Sequence, residues 1–217
     1  MQDFILRLCY SLPGFLLAIC LHEYSHALVA TKFGDPTARE AGRLTMNPIS
    51  HFDIFGTIIL PLVLIAQNWG VFGYAKPVPI DARHFKNVRK AVFWVSFAGP
   101  IANLVLVVLS AFFLVLFVNF VPKDFYLFLP IAQMLRFSVD INVLFAVFNL
   151  IPFPPLDGSR MVSTFLNYNQ SRVYESWERY SFLFFMALWI TNGFSYILAP
   201  AMMLGDGVVN MFALMLS

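Results

Sequence analysis

Charge is scarce in this chain. Of 217 residues, 14 are Lys or Arg and 12 are Asp or Glu, together 12%, against roughly 25% in an ordinary soluble domain. No hydrophilic stretch is long enough to fold separately, so a single domain, 1–217, is expected. The formal net charge of +2 is too small to imply binding to nucleic acid. Cysteine is nearly missing too. Cys9 and Cys20 lie eleven apart in apolar sequence, too far along one helix to be bridged, and are expected to pack as buried small hydrophobes. The N-terminus shows no signal-peptide cleavage pattern, so its apolar segment is expected to be retained structure.

What fills the chain is apolar. Hydrophobic residues make up 59%, Phe alone occurs 25 times, and mean hydropathy is +0.74. This composition predicts an all-α polytopic membrane protein, since a spanning helix needs about 20 apolar residues. Candidate segments are 4–31, broken early by Pro13-Gly14; 91–121, with Gly99-Pro100 in its first half; 137–153; and a C-terminal pair, 180–198 and 200–216, separated near Pro200. The stretch 54–72 is shorter and carries Gly56, Pro61 and Gly70. The loops 32–53, 73–90 and 157–179 hold most of the basic residues, so all three should share the cytoplasmic side. That is possible only if 54–72 dips into the membrane and returns. The prolines of Tyr74-Ala75-Lys76-Pro77-Val78-Pro79-Ile80 predict an extended segment.

One motif carries chemistry. His22-Glu23-Tyr24-Ser25-His26 sits in apolar sequence. Two histidines four apart share a helix face and can bind one zinc ion, with the glutamate between them placed as general base. A catalytic zinc usually has three protein ligands. His51 and His84 lie in polar, basic loops, where surface roles are expected. Asp140 follows Arg136 by four residues, which suits a local ion pair. Asp157 is the strong candidate: Pro152, Pro154 and Pro155 break the chain just before it, and irregular backbone at the end of a span needs a reason. It can meet the histidines only if 4–31 and 137–153 run parallel, which again requires 54–72 to be re-entrant. Asn149, eight residues before Asp157, is a candidate donor to a substrate carbonyl or an amide tying helices together. The small residues of Ala98-Gly99-Pro100-Ile101-Ala102-Asn103 are expected to serve packing.

Together His22–His26, Phe97–Asn103 and Asn149–Gly158 resemble the site-2 protease family of intramembrane zinc metalloproteases. Asn47-Pro48-Ile49-Ser50-His51-Phe52-Asp53, Gly56–Pro61 and Tyr74–Pro79 are similar to its compact prokaryotic branch, without PDZ or CBS modules. The likeness covers about residues 10–165, and one departure is Ser159, where the family often has a second glycine after Gly158. The resemblance implies a three-helix catalytic core with accessory helices at 180–217. It implies one Zn2+ per chain held by His22, His26 and Asp157, with Glu23 as catalytic base and acid. Asn149 is implied as a substrate or oxyanion contact. The implied partner is a transmembrane protein substrate in the lipid bilayer of a prokaryotic plasma membrane, with the site near the cytoplasmic side. The segment 74–80 could pair with an unwound substrate as an added strand. A metal transporter, a catalytically dead zinc-binding adaptor and a structural zinc site are the rival readings. The transporter would need polar ligands spread along a path, the intact Glu23 weighs against a dead relative, and a structural site would more often be closed by a fourth ligand.

Overall fold

The computed structural model describes residues 2–67 and 71–216. Nine α-helices appear among them: α1 (Gln2–Lys32), α2 (Thr37–Glu40), α3 (Leu60–Ala66), α4 (Val88–Phe120), α5 (Phe128–Leu150), α6 (Asp157–Ser163), α7 (Tyr168–Glu175), α8 (Ser181–Ile190) and α9 (Gly193–Leu216). Four of these are long and apolar enough to cross a membrane: α1, α4, α5 and α9. The chain is thus an all-α polytopic membrane protein.

The break expected at Pro13-Gly14 does not occur. α1 runs through Pro13 and α4 through Pro100. A proline deletes one backbone donor, whereas interrupting the helix in hydrocarbon would strand several groups, so continuing is the cheaper course. α5 starts nine residues before the predicted 137 and stops at Leu150 instead of 153. Gln133, Arg136 and Asp140 masked its first half as a span. Arg136 pairs with Asp140, as the four-residue spacing suggested, and also with Asp206 on α9. The C-terminal break falls at Thr191-Asn192, with Asn192 at φ 56, and Pro200 lies inside α9. Asn tolerates the left-handed region and Asn-Gly is the stronger punctuation. As a result α8 is too short to span, and of the two C-terminal helices described α9 alone is long enough to cross.

The segment 54–72 behaves as expected where it is described; Gly70 lies outside the described residues. A wide turn over Ile54–Ile59 leads into α3. Together these thirteen residues (Ile54–Ala66) reach about 20 Å at 1.5 Å per residue, short of the roughly 30 Å hydrocarbon core. The chain then comes back beside its own start: Tyr74 N donates to Gly56 O at 3.1 Å, Lys76 N to His51 O at 2.9 Å, and Thr57 Oγ1 to Tyr74 O at 2.9 Å. Start and finish therefore lie on one side. The 74–80 segment is extended, but no strand forms among the described residues.

α1, α4 and α5 form the central bundle. Phe15, Ala18, Ile19, Ile141 and Phe145 fill the α1–α5 seam. Val107, Ala111, Val139, Val143 and Ala201 close α4 and α5 against α9. Gly205 of α9 sits over Val143. Cys20 is buried as expected, but Cys9 is exposed on the outer face of α1, where a membrane takes the place of protein packing.

At the end of α1 the fully buried Asp35 carboxylate accepts from Thr37 N at 3.0 Å and Asp81 N at 2.8 Å, and lies 3.3 Å from His84 Nδ1. Burial alone would raise its pKa, but these donors outweigh it and hold the carboxyl below its usual range. Asp35 thereby ties α1 to the far end of the extended segment. Asp35→Ala would take the acceptor from Thr37 N, Thr37 Oγ1 and Asp81 N, at about 1–3 kcal/mol for each left unsatisfied. A lower thermal midpoint and faster tryptic nicking at exposed Arg83 are the expected results; unchanged values of both would refute this role.

Candidate metal centre

α1 brings His22 and His26 onto one face, with ring centroids 4.6 Å apart. Both are buried. α5 ends at Leu150, the proline-rich stretch 151–156 turns the chain, and Asp157 becomes the first residue of α6. α6 starts hard against the end of α5: a Cβ on Gly158 would lie 2.3 Å from Leu150 O, so only glycine lets Asp157 sit this deep. Ser159, the departure noted above, is buried and donates its hydroxyl to Leu156 O at 2.7 Å, which accounts for its fit.

Asp157 Oδ2 stands 3.1 Å from His22 Nε2 and 3.3 Å from His26 Nε2. Four ligands at about 2.0–2.1 Å in a tetrahedron are separated by about 3.3 Å. The two spacings to Asp157 match an edge of that tetrahedron, and all three ligand atoms lie within 4.8 Å of one another, so these residues suit a zinc ion. Among the described residues no other trio of His, Cys, Asp or Glu gathers so closely. Burial would push the Asp157 carboxyl up, but the two imidazoles outweigh it and hold the group ionised, below the usual carboxylate range.

Glu23 lies beside His22 on the wall of a cavity of about 90 Å3 that Tyr74, Ala75 and Asn149 also line. Its Oε2 accepts from Val78 N at 2.8 Å, so the extended segment fixes the carboxylate. Asn149 reaches this cavity while Nδ2 donates to Phe145 O at 3.0 Å; an amide has a second hydrogen to offer. The structure thus brings His22, Glu23, His26, Asn149 and Asp157 together. It does not bring His51 or His84 to them. His51 is not a surface residue as expected: it is fully buried, with Nε2 2.8 Å from Thr45 O, because the returning segment covers it. His84 stays half-exposed beside Asp35.

Two residues read as packing elements touch the site. Gly99 faces both imidazoles, and a Cβ there would lie 2.4 Å from His26 Nε2. Asn103, four residues on and thus on the same helix face, has Oδ1 2.6 Å from His22 Nδ1. A lone amide at membrane depth, where polar groups are costly, was the available signal.

The Peptidase family M50 model matches residues 10–140 and 127–191. YwhC of Bacillus subtilis, a provisionally named zinc metalloprotease, is 37% identical over 206 residues, covering 94% of this chain and 91% of YwhC. Rip2 of Mycolicibacterium smegmatis, provisionally named likewise, is 33% identical over 180 residues, 83% of this chain and 66% of Rip2. The Mycobacterium tuberculosis Rip2 is 28% identical over 183 residues, 82% of this chain and 66% of its own. No solved structure matches the chain. With the family model and a close relative both spanning most of its length, the chain belongs to peptidase family M50, the site-2-protease-like membrane metallopeptidases.

Proposed function

We propose that His22, His26 and Asp157 hold one zinc ion per chain and that Glu23 is the catalytic base and acid of this intramembrane zinc metalloprotease. The observation that carries the reading is the 3.1 and 3.3 Å spacing of the three ligand atoms with Glu23 on the adjoining cavity wall. Zinc held there supplies Lewis acidity to a water and to the scissile carbonyl, bringing the pKa of that water to about 7. Glu23 takes the proton of the attacking water and returns it to the leaving amine nitrogen. The Val78 N–H bond keeps the carboxylate aimed until then. Asn149 offers its free amide hydrogen to the carbonyl oxygen as negative charge builds on it.

The substrate class is a membrane-spanning protein cleaved within or near the bilayer. Its helix must unwind locally, since helical carbonyls are already bonded and shielded from attack. The basic loops 32–53, 73–90 and 157–179 support a cytoplasmic-side site in a prokaryotic plasma membrane. The transporter reading finds no support in Arg136, Asp140 and Asp206, the other charged cluster in the bundle, because they pair with one another.

Metal analysis tests the ligand set. The purified chain should carry one zinc, and Asp157→Ala, which leaves only two ligands, should lose it on dialysis. Full zinc content in that variant would sink the assignment.

A further inference from the structure

The polar chain running away from His22 has a fixed direction. Asn142 Nδ2 donates to the main-chain oxygen of Ser138 at 2.7 Å, and a main-chain oxygen only accepts. Asn142 must therefore turn Oδ1 toward Asn103. Asn103 Nδ2 donates to that Oδ1 at 2.8 Å and to the main-chain oxygen of Ala18 at 3.2 Å. Both amide hydrogens are then used, and only Oδ1 of Asn103 is left for His22 Nδ1, 2.6 Å away. An acceptor there requires a hydrogen on Nδ1, which leaves the Nε2 lone pair for a metal. His26 reaches the same state by a shorter route, its Nδ1 lying 2.6 Å from the main-chain oxygen of Val95. Asn103 and Asn142 are both 0% exposed, so no water competes for these bonds.

We propose that Asn103, oriented by Asn142, is a positioning residue that fixes the tautomer and ring plane of His22. The proposal rests on the reading of His22, His26 and Asp157 as zinc ligands. Helix-to-helix glue, the common role of a buried membrane amide, accounts for the Asn142–Ser138 bond. It does not account for an acceptor aimed at a ring nitrogen whose opposite nitrogen faces Asp157. The path to His22 crosses three helices, from α5 through α4 to α1, whereas His26 is held by α4 alone.

The test uses the full chain in detergent, loaded with zinc and 15N-labelled at its four histidines. Protected Nδ1–H signals are expected from His22 and His26. Asn103→Leu keeps the branched shape and heavy-atom count and removes the acceptor. The His22 signal should shift and exchange faster while that of His26 stays. The zinc dissociation constant, read by competition with a chromophoric chelator, should rise roughly 10- to 100-fold. Asn142→Leu, which does not touch His22, should act in the same direction and less strongly. Asn103→Ser, for use if the leucine variant does not accumulate, should fall between wild type and Asn103→Leu. An unaltered His22 signal and zinc affinity would overturn the proposal. Equal changes at His22 and His26 would also overturn it, because they mark general loosening. Failure of the unsubstituted chain to bind zinc would overturn the ligand reading itself, and needs no variant to be seen.

Discussion

Glu23→Gln should abolish cleavage of a co-expressed single-span substrate and leave zinc in place. The substitution changes one oxygen for an amide nitrogen and preserves size, so the Val78 N–H still finds an acceptor in the glutamine carbonyl. The three ligand atoms belong to other residues and stay as they are. What is lost is the ability to take a proton from water and pass it to the leaving nitrogen. General acid–base catalysis is typically worth ~10²–10⁴-fold, so cleavage should drop at least a hundredfold. Cleavage is read on immunoblots of the substrate, and zinc by metal analysis of the purified variant. Retained cleavage would remove Glu23 from the mechanism. Loss of both cleavage and zinc would mean that the residue supports the metal site instead of the chemistry. Zinc retained with cleavage gone separates an enzyme from a metal carrier, for which this carboxylate has no such duty.

The ligand trio was legible in the sequence because it contradicts its surroundings. His22, Glu23 and His26 are costly in an apolar helix, and Asp157 follows three prolines at the end of a span, so each called for a reason. Helix parity then decided that these elements could meet, and that same parity made 54–72 re-entrant. Asn103 and Gly99 escaped because their residue types suit membrane helix packing equally well. Only the register of α4 against α1, which no local pattern encodes, turns them toward the imidazoles. The start of α5 was hidden by Arg136, whose charge is met by Asp140 one turn on and by Asp206, seventy residues away. His51 looked solvated because its loop is polar; its burial depends on a chain return that brings Lys76 against it. In each case the missing information is a tertiary contact between segments far apart in the chain.

Gly99→Ala should cripple the metal site through a single methyl group. An ideal Cβ at this position would fall 2.4 Å from His26 Nε2 and 2.6 Å from His22 Nε2, far inside the roughly 3.5–4.0 Å at which non-bonded heavy atoms are content. Neither ring can step aside freely. His22 is held by Asn103 and His26 by Val95 O, each at 2.6 Å, and both anchors lie on the same helix as Gly99. Moving α4 away to admit the methyl group therefore pulls on the anchors, while moving the rings breaks their aim at Asp157. Overpacking of this kind costs about 1–3 kcal/mol, and at 1.4 kcal/mol per tenfold zinc affinity should fall roughly ten- to a hundredfold. Cleavage should fall with it, and Gly99→Val should abolish both. Gly207→Ala is the control: nothing lies within 4 Å of its added Cβ on α9, and zinc affinity and cleavage should stay at wild-type levels. Chelator competition and the substrate assay read all three variants. Wild-type zinc affinity in Gly99→Ala would mean that α4 does not lie against the two histidines, and the centre described above would have to be rebuilt without it.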